Sequence, residues 1–579
     1  MPHATHPSPG LQALVLCGPG VSLNTFTSIP EEFPKALVPI ANRPMVWYAI
    51  DWCHRMGITD ITLITPPESA AALESALKIN PALTSLPSPK PEILAPEDVT
   101  LTTGTAEILR SKRVQDCITS DFVVLPCDLI SELDGSRVIE QWLSLNLFSP
   151  DSASSASSKG GLAIYYPTQG LEGISMKKDE TDFMATAPLV RPTVPPPSGS
   201  LRSNVETLLL NMPTDTLKDT LDETQDKSLR LRQALLAKGG RVKMKTKHRD
   251  AHVYVFPKWV KQFAAVNESF DSISEDLVGW WAKAGWQTGL STKLDLENIT
   301  APTTIARMED SQSLEEEVDL YALSSTRSTK QTETTKFATR TGLSTQLAKD
   351  STTVPPIHVY VQPSLPAVVV DPTKPATIPD TLQQPLIRRI DTSLALLNVS
   401  LYLAKQALPH PLAYEHKVHP TAQVGTQARV SEADSLVAEN VTIGIRANIK
   451  ESIIGANCEI GPNARLTRCL LMDGVTIGDG VQLTGCIVGR RAKIEGAEAH
   501  TTDPAIPTAS TPKSKGKKKK GDDDDDKTRL TDCEVAPGFV VEVGTQSKGE
   551  KMMAFDADAN LDDLGEEEDE DDDLDDEEL

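Results

Sequence analysis

Residues 11 to about 305 alternate between two patterns of apolar residues. Leu11–Leu16, Ile58–Thr65, Asp121–Leu125 and His252–Phe256 are short runs rich in aliphatic and aromatic residues, as strands are. Pro44–Met56 instead has apolar residues at helical spacing, with Gly57 placed to end the helix. Strand and helix in alternation predict an α/β domain built on a mainly parallel, Rossmann-like sheet. The Ser-rich stretch Ser149–Gly161 and the Pro-rich stretch Ala187–Ser200 interrupt the pattern and read as surface insertions. Residues 307–355 are crowded with Ser, Thr, Gln and charge and carry little apolar periodicity, which predicts a disordered linker or a long loop. Order is expected to return with a strand at Ile357–Gln362 and a helix toward the C-terminal end of Leu386–Leu408.

From Val418 the period changes. Aliphatic residues recur at Val418, Val424, Val430 and Leu436, then at Ile443, Ile449, Ile454, Ile460, Leu466, Leu471, Ile477, Leu483, Val488 and Ile494. The regular steps are six, six and five, and glycine follows the aliphatic in pairs such as Val424-Gly425, Ile443-Gly444, Ile460-Gly461 and Ile477-Gly478. Ser452-Ile-Ile-Gly, Cys469-Leu-Leu-Met and Cys486-Ile-Val-Gly lie 17 residues apart. Three hexads closing one coil, each with an inward aliphatic and a small residue beside it, predict a left-handed parallel β-helix. Thr528–Gly538 repeats the Leu483–Gly489 coil, so the helix is expected to resume after an insertion. The chain therefore divides into an α/β domain over 11–305, a low-complexity stretch over 306–355, and the last strand and helix of the α/β domain over 356–410. A β-helix over 411–550, with a loop at about 496–527, and an acidic tail over 551–579 complete it.

Charge sharpens this division. The chain of 579 residues carries a net charge of −24, yet Asp556 to the end holds sixteen acids and no base, which leaves about −8 for the rest. The tail is expected to be disordered and solubilising, with a contact to a basic partner as the other reading. Lys513–Lys520 is basic, but Asp522–Asp526 follow at once and no aromatic is interleaved for base stacking. A solvated loop is therefore preferred to nucleic-acid binding. The eight cysteines form no CxxC pair and most lie in apolar runs, which predicts buried free thiols in a reducing cytosol. The sequence has no N-terminal apolar leader and no apolar run of about 18 residues, so neither secretion nor a membrane contact is expected.

Candidate chemistry lies near the start. Leu14-Val-Leu-Cys-Gly-Pro-Gly-Val-Ser-Leu23 carries a strand into a Gly-x-Gly turn, whose N–H groups are free to approach phosphates. Phe33-Pro-Lys-Ala-Leu-Val-Pro-Ile40, Gly104-Thr105-Ala106 and Leu125-Pro-Cys-Asp128 follow. Together these resemble the nucleotidyltransferase domain of sugar-nucleotide pyrophosphorylases, in which Gly-x-Gly-Thr-Arg precedes Pro-Lys-x-Leu-x-Pro-Ile. The resemblance implies that Gly18 and Gly20 cradle the nucleotide, that Lys35 neutralises phosphate, and that Asp128 binds Mg²⁺ with a second carboxylate downstream. This sequence departs from that pattern twice. Val21-Ser22 stands at Thr-Arg, so Ser22 replaces a phosphate-clamping arginine, whose bidentate fork a hydroxyl does not match. In Leu386-Ile-Arg-Arg-Ile-Asp-Thr392 the second metal position falls on Arg389, with Asp391 out of register. Lys35 is left with a second reading as the partner of a carboxylate, and Asp128 as a cap on the turn after its strand. The expectation is a degenerate nucleotide pocket made of Gly18, Gly20, Ser22, Lys35 and Asp128, with no catalytic residue, metal or cofactor.

Phe26-Thr-Ser-Ile-Pro30, Phe33–Tyr48, Met56-Gly-Ile-Thr-Asp-Ile-Thr-Leu-Ile64, Phe122-Val-Val-Leu-Pro-Cys-Asp-Leu129, Asp250-Ala-His-Val-Tyr-Val-Phe256 and Ser274-Glu-Asp-Leu277 carry a closer resemblance. In this order, before a terminal β-helix, they resemble the gamma-subunit family of eukaryotic translation initiation factor 2B. The resemblance implies a non-catalytic, regulatory chain of a cytosolic guanine-nucleotide exchange complex. Its implied partners are the epsilon subunit, the other subunits of the factor, and initiation factor 2 with GDP or GTP, with no direct contact to nucleic acid. An epsilon chain would add a helical exchange domain after the β-helix, where this sequence has its acidic tail, so gamma is expected. The competing readings are a mannose-1-phosphate guanylyltransferase and the inactive regulatory subunit of such an enzyme.

Overall fold

The computed structural model describes residues 9–18, 21–100, 102–147, 159–169, 174, 180–192, 194–197, 199–224, 227–300, 354–364, 384–496 and 527–553. Gly20, most of the 306–355 stretch, the Lys/Asp loop and the acidic tail beyond 553 lie outside the described residues, so the expectations for them stand as expectations. The chain forms two compact units.

The first unit is an α/β domain. Its strands are β1 (Leu11–Leu16), β2 (Ile61–Ile64), β3 (Glu92–Leu94), β4 (Asp121–Pro126), β5 (Leu129–Ser131), β6 (Gly161–Pro167), β7 (Asp182–Pro188), β8 (Val205–Pro213), β9 (Lys243–Phe256), β10 (Ile357–Val361) and β11 (Ile387–Arg389). Nine of them make one sheet in the order β3-β2-β1-β4-β9-β6-β10-β8-β7, with β9 also reaching β7; β5 and β11 make a separate antiparallel pair. The α/β class holds, but the sheet is parallel throughout only from β3 to β4. Beyond β4, β9 runs antiparallel to β4, β6 and β7, and β8 runs antiparallel to β7 and β10; β6 with β10 is the parallel pair of this half. The long β9 causes the change, because it starts nine residues ahead of the expected His252 and bridges several neighbours in reversed direction.

Helices α1 (Met45–Arg55), α2 (Pro67–Ile79), α3 (Thr105–Arg110), α4 (Gly135–Leu147), α5 (Gln233–Gly239), α6 (Val260–Val266), α7 (Gly279–Ala284) and α8 (Leu290–Lys293) accompany the sheet. One core joins Phe122, Tyr254 and Phe256 of the sheet to Leu109, Phe263 and Trp281 of the helices. Tyr254 stacks on Phe256 at 5.2 Å, and Trp281 donates its indole N–H to Pro355 O at 2.7 Å. Each such side chain fully removed from water contributes about 1.5–3 kcal/mol. In α1, Trp52 is buried and its indole N–H is bonded to Leu133 O.

The second unit is the left-handed β-helix, three parallel sheets of six strands each. The compact unit that holds it also takes in the helix residues from Leu397 and the short stretches Leu23–Ser28 and Ile40–Asn42, and the first coil pairing is Val418 with Val437. Inward ladders run Ile443-Ile460-Ile477-Ile494-Val541, Ile449-Leu466-Leu483-Leu530 and Val437-Ile454-Leu471-Val488-Val535, all buried. Leu530 pairs directly with Leu483, so the residues between 496 and 527 leave the register intact. One expected position is corrected: Val437 enters the core, and Leu436 faces the other side of its strand. The first coil takes 19 residues, from Val418 to Val437, where later coils take 17, so the hexad count slips by one at that corner. Val424, in the end coil with no coil beneath it, is 48% exposed.

The glycines after the inward aliphatics answer to coil spacing. A Cβ at Gly478 would lie 2.2 Å from Gly496 N in the next coil, and one at Gly444 would lie 2.5 Å from Pro462 N. The left-handed backbone that turns the corners falls elsewhere, on residues such as Asn440, Asn457, Asn463 and Gly480.

Leu466→Ala is expected to destabilise the β-helix by about 2–5 kcal/mol, because coils above and below prevent the cavity from collapsing. Val424→Ala, in the uncovered end coil, is expected to stay within about 0.5 kcal/mol. Hydrogen exchange measured on β-helix peptides distinguishes the two.

Candidate functional site

The site begins at the C-terminal ends of two adjacent parallel strands. β1 and β4 pair with Leu16 opposite Pro126, so Cys17-Gly18 and Cys127-Asp128 emerge side by side. Crevices at such strand ends are where open α/β sheets place ligands. Leu129 of β5 then pairs with Arg389 of β11, and Ile390 N donates to Asp128 O at 3.0 Å. This short antiparallel pair brings Arg389 against Asp128. Lys35 arrives from a single 3₁₀ turn, Lys35–Leu37, that follows the extended Pro34.

The three side chains form one buried cluster. Lys35 Nζ donates to Asp128 Oδ2 at 2.7 Å, and Arg389 Nε donates to Asp128 Oδ1 at 3.4 Å. The Asp128 side chain is 2% exposed. Burial pushes its carboxyl up, but the Lys35 and Arg389 charges overcome that and hold it well below the usual carboxylate range. Burial lowers Lys35 and Arg389, but Asp128, joined by Cys127 at Lys35 and by Tyr166 and Asp391 at Arg389, outweighs it, so both are raised and remain charged. Burial and the nearby Arg389 charge hold His252 well below its ordinary value, so its imidazole is neutral.

These groups border a cavity of about 330 Å³ that Gly18, Ser22, Thr105 and Tyr254 also line. A Cβ at Gly18 would meet nothing within 4 Å, so the missing side chain leaves the cavity open and is not required by packing. Of the lining residues only Asp128 is a carboxylate, and each of its oxygens faces a different cation. With His252 neutral, the cluster carries one net positive charge. That field suits an anion and opposes a divalent cation, which would be a third positive centre on the same carboxylate. The residues therefore do not fit a Mg²⁺ site. Asp391, a nearby acid, is engaged by Arg249. Among the described residues, no three of His, Cys, Asp and Glu are grouped to hold a metal ion.

Of the residues singled out from sequence, Gly18, Ser22, Lys35 and Asp128 come together around this cavity with Arg389. Gly20 is outside the described residues. The pairing of Lys35 with Asp128 answers to the carboxylate-partner reading of the lysine. His252 and Tyr254 also reach the cavity and had no assigned role, although Asp250-x-His252-x-Tyr254 places polar groups at strand period within an apolar run. The strand is irregular here: His252 has φ 52°, and the β9–β6 register shifts between Asp250 and Tyr254. Asp250 holds this bulge, accepting from His252 N at 2.8 Å, from Ser274 Oγ at 2.8 Å and from Tyr254 OH. Ser274 lies on a π-helical turn, Ile273–Val278, and its hydroxyl ties the Ser274–Leu277 motif to the strand motif. Asp250 N donates to Asp182 Oδ2 at 2.6 Å; burial, reinforced by the Asp250 charge, pushes the Asp182 carboxyl up to about 7.

Comparison with known proteins finds two similarities. A family model described as the EIF2B subunit epsilon LbH domain matches residues 415–503. Translation initiation factor eIF2B subunit gamma of Schizosaccharomyces pombe (strain 972 / ATCC 24843) is 28% identical over 295 residues, 51% of this chain and 56% of that protein. The match thus spans about half the length of the relative. The two similarities name one factor and two of its subunits.

Asp128→Asn is expected to cost about 3–5 kcal/mol at pH 7, because two buried cations lose their counter-charge. The folded carboxyl titrates below its unfolded value of about 3.9, so this stabilisation is full above that pH and is lost progressively as pH falls further. The gap between wild type and variant should therefore narrow only below about pH 4. Asp182 has the opposite sign. Its folded carboxyl is raised to about 7, so the associated stability is present below about pH 4 and lost as pH rises through about 7. Asp182→Asn keeps an acceptor for Asp250 N and should gain on wild type across that window. Denaturant unfolding followed by tryptophan fluorescence reports both, since all seven tryptophans lie in the first unit.

Proposed function

We propose that this chain is a non-catalytic, regulatory subunit of the guanine-nucleotide exchange complex of translation initiation factor 2B. In this reading it is of the gamma type, pairs with the epsilon subunit in the cytosol, and promotes release of GDP from initiation factor 2. The observation that carries the reading is the Lys35–Asp128–Arg389 cluster. In a domain of nucleotidyltransferase type, the carboxylate that would take Mg²⁺ is saturated by the protein's own cations, and Ser22 stands in place of a phosphate-clamping arginine. A fold kept with its metal position closed supports a role in assembly over turnover. The named relative supports gamma, and the β-helix match supports the same factor. No residue is assigned a catalytic role, because exchange would be a conformational effect shared with partners.

The retained Lys35 and the 330 Å³ cavity favour a second reading, a mannose-1-phosphate guanylyltransferase-type enzyme or its inactive regulatory subunit. Pull-down with the intact chain from cytosol is expected to recover an epsilon-type chain and initiation factor 2; recovery of a sugar-nucleotide enzyme instead would favour the regulatory form of the second reading. With GTP, mannose 1-phosphate and Mg²⁺, no pyrophosphate release is expected under conditions where a genuine pyrophosphorylase turns over. Turnover abolished by Asp128→Asn would overturn the non-catalytic reading.

A further inference from the structure

A second, larger hollow lies in the first unit, apart from the Lys35–Asp128–Arg389 cluster. It encloses about 670 Å³ between the end of β8, the segment leading into α5, and α7 and α8. Its floor is apolar: Leu235, Leu290 and Leu294 are buried there beside Phe270. Four cations line it, Arg230 and Arg232 ahead of α5, Lys283 on α7 and Lys293 on α8, and no lining residue is acidic. None of the four is in an ion pair among the described residues, although the first unit pairs its cations elsewhere, as at Lys218–Asp215 and Lys243–Glu206. Arg230, Arg232 and Lys293 are exposed, while Lys283 is half-buried and burial draws its ammonium down.

The aromatic residues narrow the occupant. A nucleobase needs a free ring face to stack on. Trp280 is 37% exposed, but the Lys283 ammonium sits 4.5 Å from its ring centre. Trp286 and Phe270 are buried, and the Trp286 indole N–H is committed to Leu209 O at 2.7 Å. The cations come from three separate elements: the segment ahead of α5, α7 and α8. Four cations and no acid around a partly apolar lining match a chain that alternates carboxylates with apolar anchors.

We infer that the hollow lined by Arg230, Arg232, Lys283 and Lys293 is a docking site for an acidic segment of another protein, whose leucine-type side chains seat on the half-buried Met212, Leu229 and Leu231. Carboxylates of the segment neutralise the four cations and add to Asp276 in offsetting the burial of the Lys283 ammonium. This surface is separate from the cavity used above, so it stands or falls independently of the proposed function.

The test uses the full chain and a fluorescein-labelled peptide, Glu-Leu-Asp-Asp-Leu-Glu-Asp-Leu, followed by polarisation. Saturable binding that weakens with added salt is expected. Arg230→Glu with Arg232→Glu should weaken it by at least roughly tenfold, about 1.4 kcal/mol. Lys293→Glu, on a different element, should weaken it in the same direction, and serves if the first variant fails to fold. A peptide with Lys for each acid should bind the double variant better than wild type. A peptide with Ser for each Leu should bind wild type more weakly than the parent. No binding by the wild-type chain, affinity unchanged in both variants, or equal affinity for the Ser peptide would overturn the proposal. So would tighter binding of an oligouridylate lost in the same variants, which would make the hollow a nucleic-acid site.

Discussion

Asp128 fixes the geometry of the first unit's site, because its two oxygens join three distant parts of the chain. Lys35 is 93 residues before it and Arg389 is 261 residues after it. The carboxylate sits where the parallel half of the sheet ends and the β5–β11 pair begins. Burying one carboxylate with one cation leaves a marginal balance, since desolvation offsets most of the attraction. Two cations on separate oxygens shift that balance, and the depressed Asp128 carboxyl is the electrostatic expression of it. The same arrangement sets the sign of the cavity: Lys35 and Arg389 exceed Asp128 by one positive charge, and the neutral His252 adds none.

The β-helix rests on a different constraint, the distance between coils. Parallel in-register stacking puts equivalent residues directly over one another, so each inward aliphatic needs an aliphatic above and below it. It also leaves no room for a Cβ at positions such as Gly444 and Gly478, where the backbones approach. The 17-residue repeat is that spacing written into the chain. Where the first coil lengthens to 19 residues, the inward position moves from Leu436 to Val437 while the pairing persists. Coil register thus tolerates extra residues at a corner, and the direct pairing of Leu483 with Leu530 is the extreme case.

This difference explains what could be read from sequence. Hexad periodicity is local and repeated, so the β-helix and its resumption at Thr528 were legible almost residue by residue. Only the coil with the irregular step misled. The α/β class was legible from alternating apolar runs, but strand direction was not: antiparallel β9 looks the same as a parallel strand until its neighbours are known. At the site, Lys35, Asp128 and Arg389 were found through motif order. Their mutual contact depends on the β5–β11 pair, whose three-residue strands carry no periodic pattern. Asp250, His252 and Tyr254 were visible as polar residues in an apolar run. Their convergence required a bulge, which sequence marks weakly when the left-handed residue is a histidine in place of a glycine.

Converging polar groups ordinarily weaken a fold, because a site shaped for a ligand holds charges that the ligand has yet to satisfy. At two points in this domain the convergence is satisfied internally. Asp128 is neutralised by Lys35 and Arg389. Asp250 accepts from His252 N, Ser274 and Tyr254 and so stabilises the strained residue beside it. Opening the first cluster to a metal would require separating two ion pairs in a buried setting, and the strand bulge gives the second no freedom to compensate. The cavity is consequently stable without an occupant. Lys35, Asp128 and Arg389 together still carry one positive charge in excess, which favours negative charge in whatever approaches.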